Sequence, residues 1–139
     1  GCNVIYHDAN IKFPFPDNTF DCVNSRQNRE HLRDVAYTMK EIRRVLKPKG
    51  KFVATVQNLK HFKWEWYDNP FHISPMTKKS IGRYAYLAGF DKYIIYDFRN
   101  GMFGMRKLYE MGLSPHFIKK IIKTWSKIRP NLHVIEARK

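Results

Sequence analysis

At 139 residues the chain is long enough for one domain with its own core and too short for two. Its 43% hydrophobic and 15% aromatic content excludes wholesale disorder, and no apolar run reaches the roughly 20 residues a membrane-spanning helix needs. Lys+Arg 26 against Asp+Glu 12 gives a formal charge of +14, enough to attract phosphates or an anionic membrane surface. The basic residues gather at 40–51 and 119–129, but no RNA-binding motif interleaves aromatics with them. A lysine-rich solvated surface is therefore the favoured reading, nucleic acid is not, and peripheral membrane contact stays open.

In chain order, "NVIYH" at residues 3–7 predicts a short buried strand. Pro14 and Pro16 make residues 9–19 a loop, and "FDCV" at 20–23 predicts a second strand. Cys22 in that strand is expected to be a buried free thiol, which fits a reducing cytoplasm; two cysteines make neither a zinc set nor a disulfide framework. Asp34 predicts a helix N-cap, followed by Val35, Met39, Ile42, Val45 and Leu46 at helical spacing, with Pro48 and Gly50 as the stop. Residues 51–58 predict a strand, and 59–76 a long aromatic loop. Thr77 caps a helix running through Ala88, with Gly89 in the left-handed position after it. "KYIIYDF" predicts a strand, "GMFGMRKLYEMG" is ambiguous and read as helix, Ser114-Pro115 starts a further helix, and 133–137 closes as a strand. Strands alternating with helices argue for an α/β fold with a largely parallel sheet.

Three stretches, "HDANIKFPFPDNTFDCVNS", "EHLRDVAYTMKEIRRVLKPKGKFVATVQN" and "HISPMTKKSIGRYAYLAGF", together resemble the later two-thirds of a class I S-adenosylmethionine-dependent methyltransferase, in that family's order and spacing. The small-molecule branch, with its ubiquinone- and sugar-modifying enzymes, is the most similar. The resemblance implies an incomplete Rossmann-like sheet: the third to seventh strands of the order third, second, first, fourth, fifth, seventh, sixth, with the seventh antiparallel and helices alongside.

It also implies roles. Asp8 would accept from the adenine amine of S-adenosylmethionine while the Ala9 N–H serves a ring nitrogen. Asn24, Ser25 and Arg26 would lie beneath the methionine part, and Phe13 and Phe15 would frame the adenine. The loop after the fifth strand supplies the acceptor side: His72 ranks first as base or acceptor contact, followed by His61 and Tyr67, while Trp64, Trp66 and Phe71 wall a ring-shaped or apolar acceptor. The resemblance implies no metal, and His31 reads as structural.

Departures from the family pattern accompany these matches. Arg29 stands at a position usually apolar and must face solvent, find a carboxylate or touch a ligand. Lys49 replaces the first glycine of a Gly-Gly turn, a mild change if φ there is negative. None of the glycines, at 1, 50, 82, 89, 101, 104 and 112, follows an apolar strand to open a helix, so the cofactor-gripping glycine-rich loop is not in this sequence. The chain opens on Gly1, and residues 1–139 are expected to be a partial methyltransferase domain whose N-terminal half lies outside them. The expected function is methyl transfer to a small-molecule, lipid-precursor or glycan acceptor, with this chain inactive alone. The alternative is a noncatalytic basic module, a degenerate methyltransferase half that binds RNA, an anionic membrane or a protein partner.

Overall fold

A computed structural model describes residues 3–98, 114 and 131–139. The ambiguous segment at 101–112, the helix expected after Ser114 and the basic cluster at 119–129 lie outside the described residues. Along the described chain the elements are β1 (Phe20–Arg26), a 3-10 turn (Arg29–His31), α1 (Val35–Val45), β2 (Leu46–Gln57), α2 (Leu59–Phe62), a 3-10 segment (Lys63–Asp68), α3 (Lys78–Leu87), β3 (Lys92–Phe98) and β4 (Leu132–Arg138).

The strands form one sheet in the order β1-β2-β4-β3. β1 and β2 run parallel, and β4 runs antiparallel to both its neighbours. Because α1 connects parallel β1 to β2, their carboxyl ends share one edge of the sheet, where open α/β folds collect their ligands. The expected α/β architecture with an antiparallel seventh strand is present, its four strands standing in the order fourth, fifth, seventh, sixth.

The core lies between the sheet and one helical layer. Phe52, Ala54 and Val56 of β2 and Ile135 and Ala137 of β4 meet Val35, Met39 and Ile42 of α1 and Ile81 and Ala85 of α3. Alternation along β2 places these residues on one face, while Val53, Thr55 and Gln57 on the other are half-buried. Burying each large apolar side chain contributes about 1.5–3 kcal/mol, and among the described residues this face gathers most of those that are buried.

The expected caps form. The Asp34 side chain accepts from Tyr37 N, and Thr77 and Ser80 close a reciprocal capping box on α3. Gly89 has φ +86, as a left-handed helix end requires. The other end of α1 differs from expectation: the helix stops at Val45 and the chain enters β2 at once, without waiting for Pro48. Its last carbonyls are taken up tertiarily. Asn18 N donates to Arg44 O (3.0 Å), Thr19 N donates to Val45 O (2.8 Å), and Lys139 Nζ donates to Arg44 O and Leu46 O (3.2 and 2.7 Å). Between the Phe20–Leu46 and Cys22–Lys51 pairs β2 carries extra residues, a bulge in which Lys49 sits at φ +66. The missing turn glycine is thus a strained position.

Residues 3–7 form no strand. Val4 and Tyr6 are 90% and 105% exposed, and apolar pattern without a ladder partner does not hold a strand. Cys22, expected buried, is exposed, because it faces away from the helical layer on an edge strand. The aromatic loop is partly helical, and Trp66 is 2% exposed, so it belongs to the packing and not to an open acceptor wall.

Candidate functional site

The site assembles from three segments at the carboxyl edge of β1 and β2. The first is the turn at residues 8–13. Asp8 Oδ1 accepts from Asn10 N and Asn10 Nδ2, both at 2.9 Å, which holds its carboxyl below the usual range, backbone donation being the largest cause. The turn is fastened to the start of α1: Thr38 Oγ1 donates to Ala9 O (2.9 Å), and Arg33 N donates to Asn10 Oδ1 (2.8 Å). Farther along, Phe13 N donates to the buried Glu41 (2.9 Å). Arg44 completes this clamp by donating to Glu41, Asp17, Phe13 O and Phe15 O. The charge-assisted bonds raise the Arg44 pKa and lower that of Glu41. The proline-stiffened loop is therefore held mainly along α1, at Arg33 and Thr38 near its start and at Glu41 and Arg44 in its last turns. Phe15 meets Phe20 edge-on at 4.9 Å, and with Phe13, Cys22, Val23 and Val45 it lines an open groove of about 250 Å³.

The second segment leaves β1. Asn24 and Arg26 are exposed and Ser25 is half-buried, so the three predicted cofactor residues sit at the strand end on alternating faces. Gln27 then turns at φ +44, its N–H donating to Thr55 O (2.9 Å). Arg29 follows, 1% exposed, with its guanidinium 4.5 Å from the Phe52 ring centroid. Its nitrogens find no hydrogen-bond partner among the described residues, and burial lowers its pKa to about 10 against the opposing pull of Glu30. Glu30 is equally buried, and both of its carboxylate oxygens are likewise without a partner among them.

The third segment is the loop after β2. It folds back onto the second through Ile73 N and Ser74 N, which donate to Glu30 O (2.9 and 3.0 Å), and through Ser74 Oγ to Leu32 O (2.7 Å). This brings His72 to His31, their ring centroids 5.0 Å apart. His72 also lies against Trp66 at 4.8 Å. His61 and Tyr67 do not join it: His61 is exposed on α2 beside Phe62, and Tyr67 is exposed against Trp64 and Trp66. An open groove of about 560 Å³ lined by Asn10, His31, Arg33, Pro70, Phe71 and Ile73 links the Asp8 turn to this loop. Sequence reading missed the partnership of Glu30, His31 and His72. The only local signal was a Glu-His pair at a helix entry and a second histidine before a helix.

Comparison with known proteins finds relatives of this arrangement. Residues 2–54 match the model of a family described as a methyltransferase domain. A ubiquinone/menaquinone biosynthesis C-methyltransferase of Cronobacter sakazakii is 34% identical over 96 residues, 62% of this chain and 38% of that protein. An uncharacterised protein of Methanocaldococcus jannaschii is 31% identical over 137 residues, covering 94% of this chain and 55% of that one. Among solved structures, a methyltransferase of Thermotoga maritima, described as a possible histamine N-methyltransferase, superposes with a TM-score of 0.71 at 15% identity. It covers 100% of this chain and 65% of its own. Residues 2–54 are thus similar to a methyltransferase domain, and the fold is that of solved S-adenosylmethionine-dependent methyltransferases.

The chain spans between about two fifths and a little over half the length of these curated relatives. Among the described residues no helix is long and apolar enough to cross a membrane. The residues present suit the donor's adenine edge: the Asp8 oxygen that Asn10 does not engage, and the Ala9 N–H, carry no bond to any described residue.

Proposed function

We propose that this chain is the acceptor-side portion of an S-adenosylmethionine-dependent methyltransferase acting on a small-molecule, lipid-precursor or glycan acceptor. The observation that carries the reading is the groove joining the Asp8–Asn10 turn to the His31–His72 loop at the strand ends, where donor and acceptor must meet. The bound donor supplies an electrophilic methyl group on sulfur. Asp8 accepts from its exocyclic amine, Ala9 N–H donates to the ring, and Asn24, Ser25 and Arg26 support the methionine end. His72, fixed through Nδ1 to Trp66 O at 2.7 Å, keeps Nε2 toward Asn69 and is the group that contacts or deprotonates the acceptor.

The glycine-rich loop that grips the amino-acid end of the donor belongs, in this proposal, to a segment outside these 139 residues. The chain alone is accordingly expected to bind the donor poorly. Calorimetry on the full-length protein tests the reading: Asp8→Ala should weaken S-adenosylmethionine binding about tenfold, the size of one charge-assisted hydrogen bond. Undiminished affinity in that variant, or no donor binding by the full-length protein, would overturn it.

A further inference from the structure

Glu30, His31 and His72 each offer a ligand atom, and these atoms all lie within 4.8 Å of one another. Forty-one positions separate the two histidines, so it is the fold that pairs them. Each imidazole is oriented from behind by a carbonyl: His31 Nδ1 is 2.9 Å from Phe71 O, and His72 Nδ1 is 2.7 Å from Trp66 O. A carbonyl oxygen only accepts, so both rings carry their proton on Nδ1, and a neutral ring then presents its lone pair at Nε2. Metal-binding histidines are held in the same way, by a partner on the nitrogen that does not ligate.

Glu30 is the second, independent observation. Its side chain is 1% exposed, and neither oxygen has a hydrogen-bond partner among the described residues. Arg29 offers attraction at a distance but no bond, having itself no hydrogen-bond partner among them. A carboxylate buried under these conditions is costly, and a cation beside the two Nε2 atoms would satisfy it.

We propose that Glu30, His31 and His72 form a binding site for a divalent transition-metal ion, with zinc the cation that best suits two imidazoles and one carboxylate. Tetrahedral zinc at about 2.0–2.2 Å from its ligands sets them roughly 3.4 Å apart, so the most distant pair must close by about 1.4 Å. Side-chain rotation covers that, with His72 Nε2 releasing its long 3.2 Å contact to Asn69. The remaining coordination position belongs to water or to a ligand atom arriving through the groove that His31 and Phe71 line. With zinc bound, His72 Nε2 is a ligand and meets an acceptor only through the metal, so this site replaces the base role proposed for His72 and leaves the donor-binding residues unchanged; its test needs no turnover.

The test uses full-length protein stripped with chelator and dialysed against zinc chloride. Metal analysis should find one zinc per chain, and X-ray absorption should show two imidazole nitrogens at about 2.0–2.1 Å with oxygen completing the shell. Glu30→Gln, His31→Gln and His72→Gln should each weaken zinc binding roughly tenfold or more, while His61→Gln, outside the cluster, leaves it unchanged. Circular dichroism separates ligand loss from misfolding. The proposal falls if the wild-type protein retains no zinc, if absorption shows no imidazole ligation, or if folded variants keep the metal undiminished.

Discussion

Lys49→Gly should stabilise the protein. Lys49 is a non-glycine residue held at φ +66 in the bulge where β2 leaves α1, and its N–H is committed to Lys139 O at 3.0 Å. The left-handed conformation costs an L-residue about 1–2 kcal/mol. Glycine removes that strain but brings about 0.5–1 kcal/mol of extra freedom in the unfolded chain. The side chain is exposed and makes no bond with any described residue, so nothing else offsets the exchange. The expected net gain is about 0.5–1 kcal/mol, read as a raised urea midpoint at unchanged slope. Lys49→Ala separates backbone from side chain, since alanine meets the same strain and should give no gain; Lys49→Asn, which tolerates this region better, should fall between. A glycine variant no more stable than the alanine one would refute the reasoning.

The clamp on the proline loop gives a second expectation. Arg44→Met leaves the buried Glu41 uncompensated, which costs about 3–5 kcal/mol for a fully buried pair. With side chains 20% and 10% exposed, water recovers part of this, and urea unfolding should show a loss of about 2–3 kcal/mol. Combining it with Glu41→Leu should restore at least about 1 kcal/mol, whereas strict additivity would show that the two do not act as a pair. The pKa of Glu41 is lowered, chiefly by the Arg44 hydrogen bond, so its stabilisation is present above about pH 4.5 and lost as pH falls through the folded value. Glu41→Gln should flatten that part of the acid limb. His133 titrates on β4, opposite Val56 near the carboxyl end of β2. Burial lowers its pKa below 6.5 although the 2.8 Å bond to Asp97 opposes this, and Lys78 and Lys60 add to the lowering. The unfolded chain takes up this proton first, so stability should fall as pH drops below 6.5; His133→Asn, which keeps a donor near Asp97, should remove the step. An unchanged pH profile in that variant would count against the assignment.

Local chemistry made much of this fold legible. Asp34, Thr77 and Gly89 announce helix ends through side-chain acceptors and backbone freedom, which act within a few residues, and all three do so here. What failed needed partners distant in sequence. The strand expected at 3–7 has the right residues and no ladder, and the exposure of Cys22 depends on which face of β1 the helices cover. The helix end at Val45 is decided by Asn18, Thr19 and Lys139, not by Pro48. Likewise the meeting of Glu30, His31 and His72 follows from Ile73 and Ser74 bonding to Glu30 O, contacts that no spacing rule displays. Asp8 could be singled out from its motif, but its tie to Asn10 could not.

The sheet order carries a consequence for folding. β3 pairs only with β4 in the described sheet, and β4 is made after it. Until β4 pairs with it, the segment Lys92–Phe98 has its hydrogen-bonding row vacant, and its Ile94, Tyr96 and Phe98 are side chains that favour stray pairing. Any partly folded form that lacks β4 therefore leaves β3 without its ladder among the described strands and open to pairing with another chain.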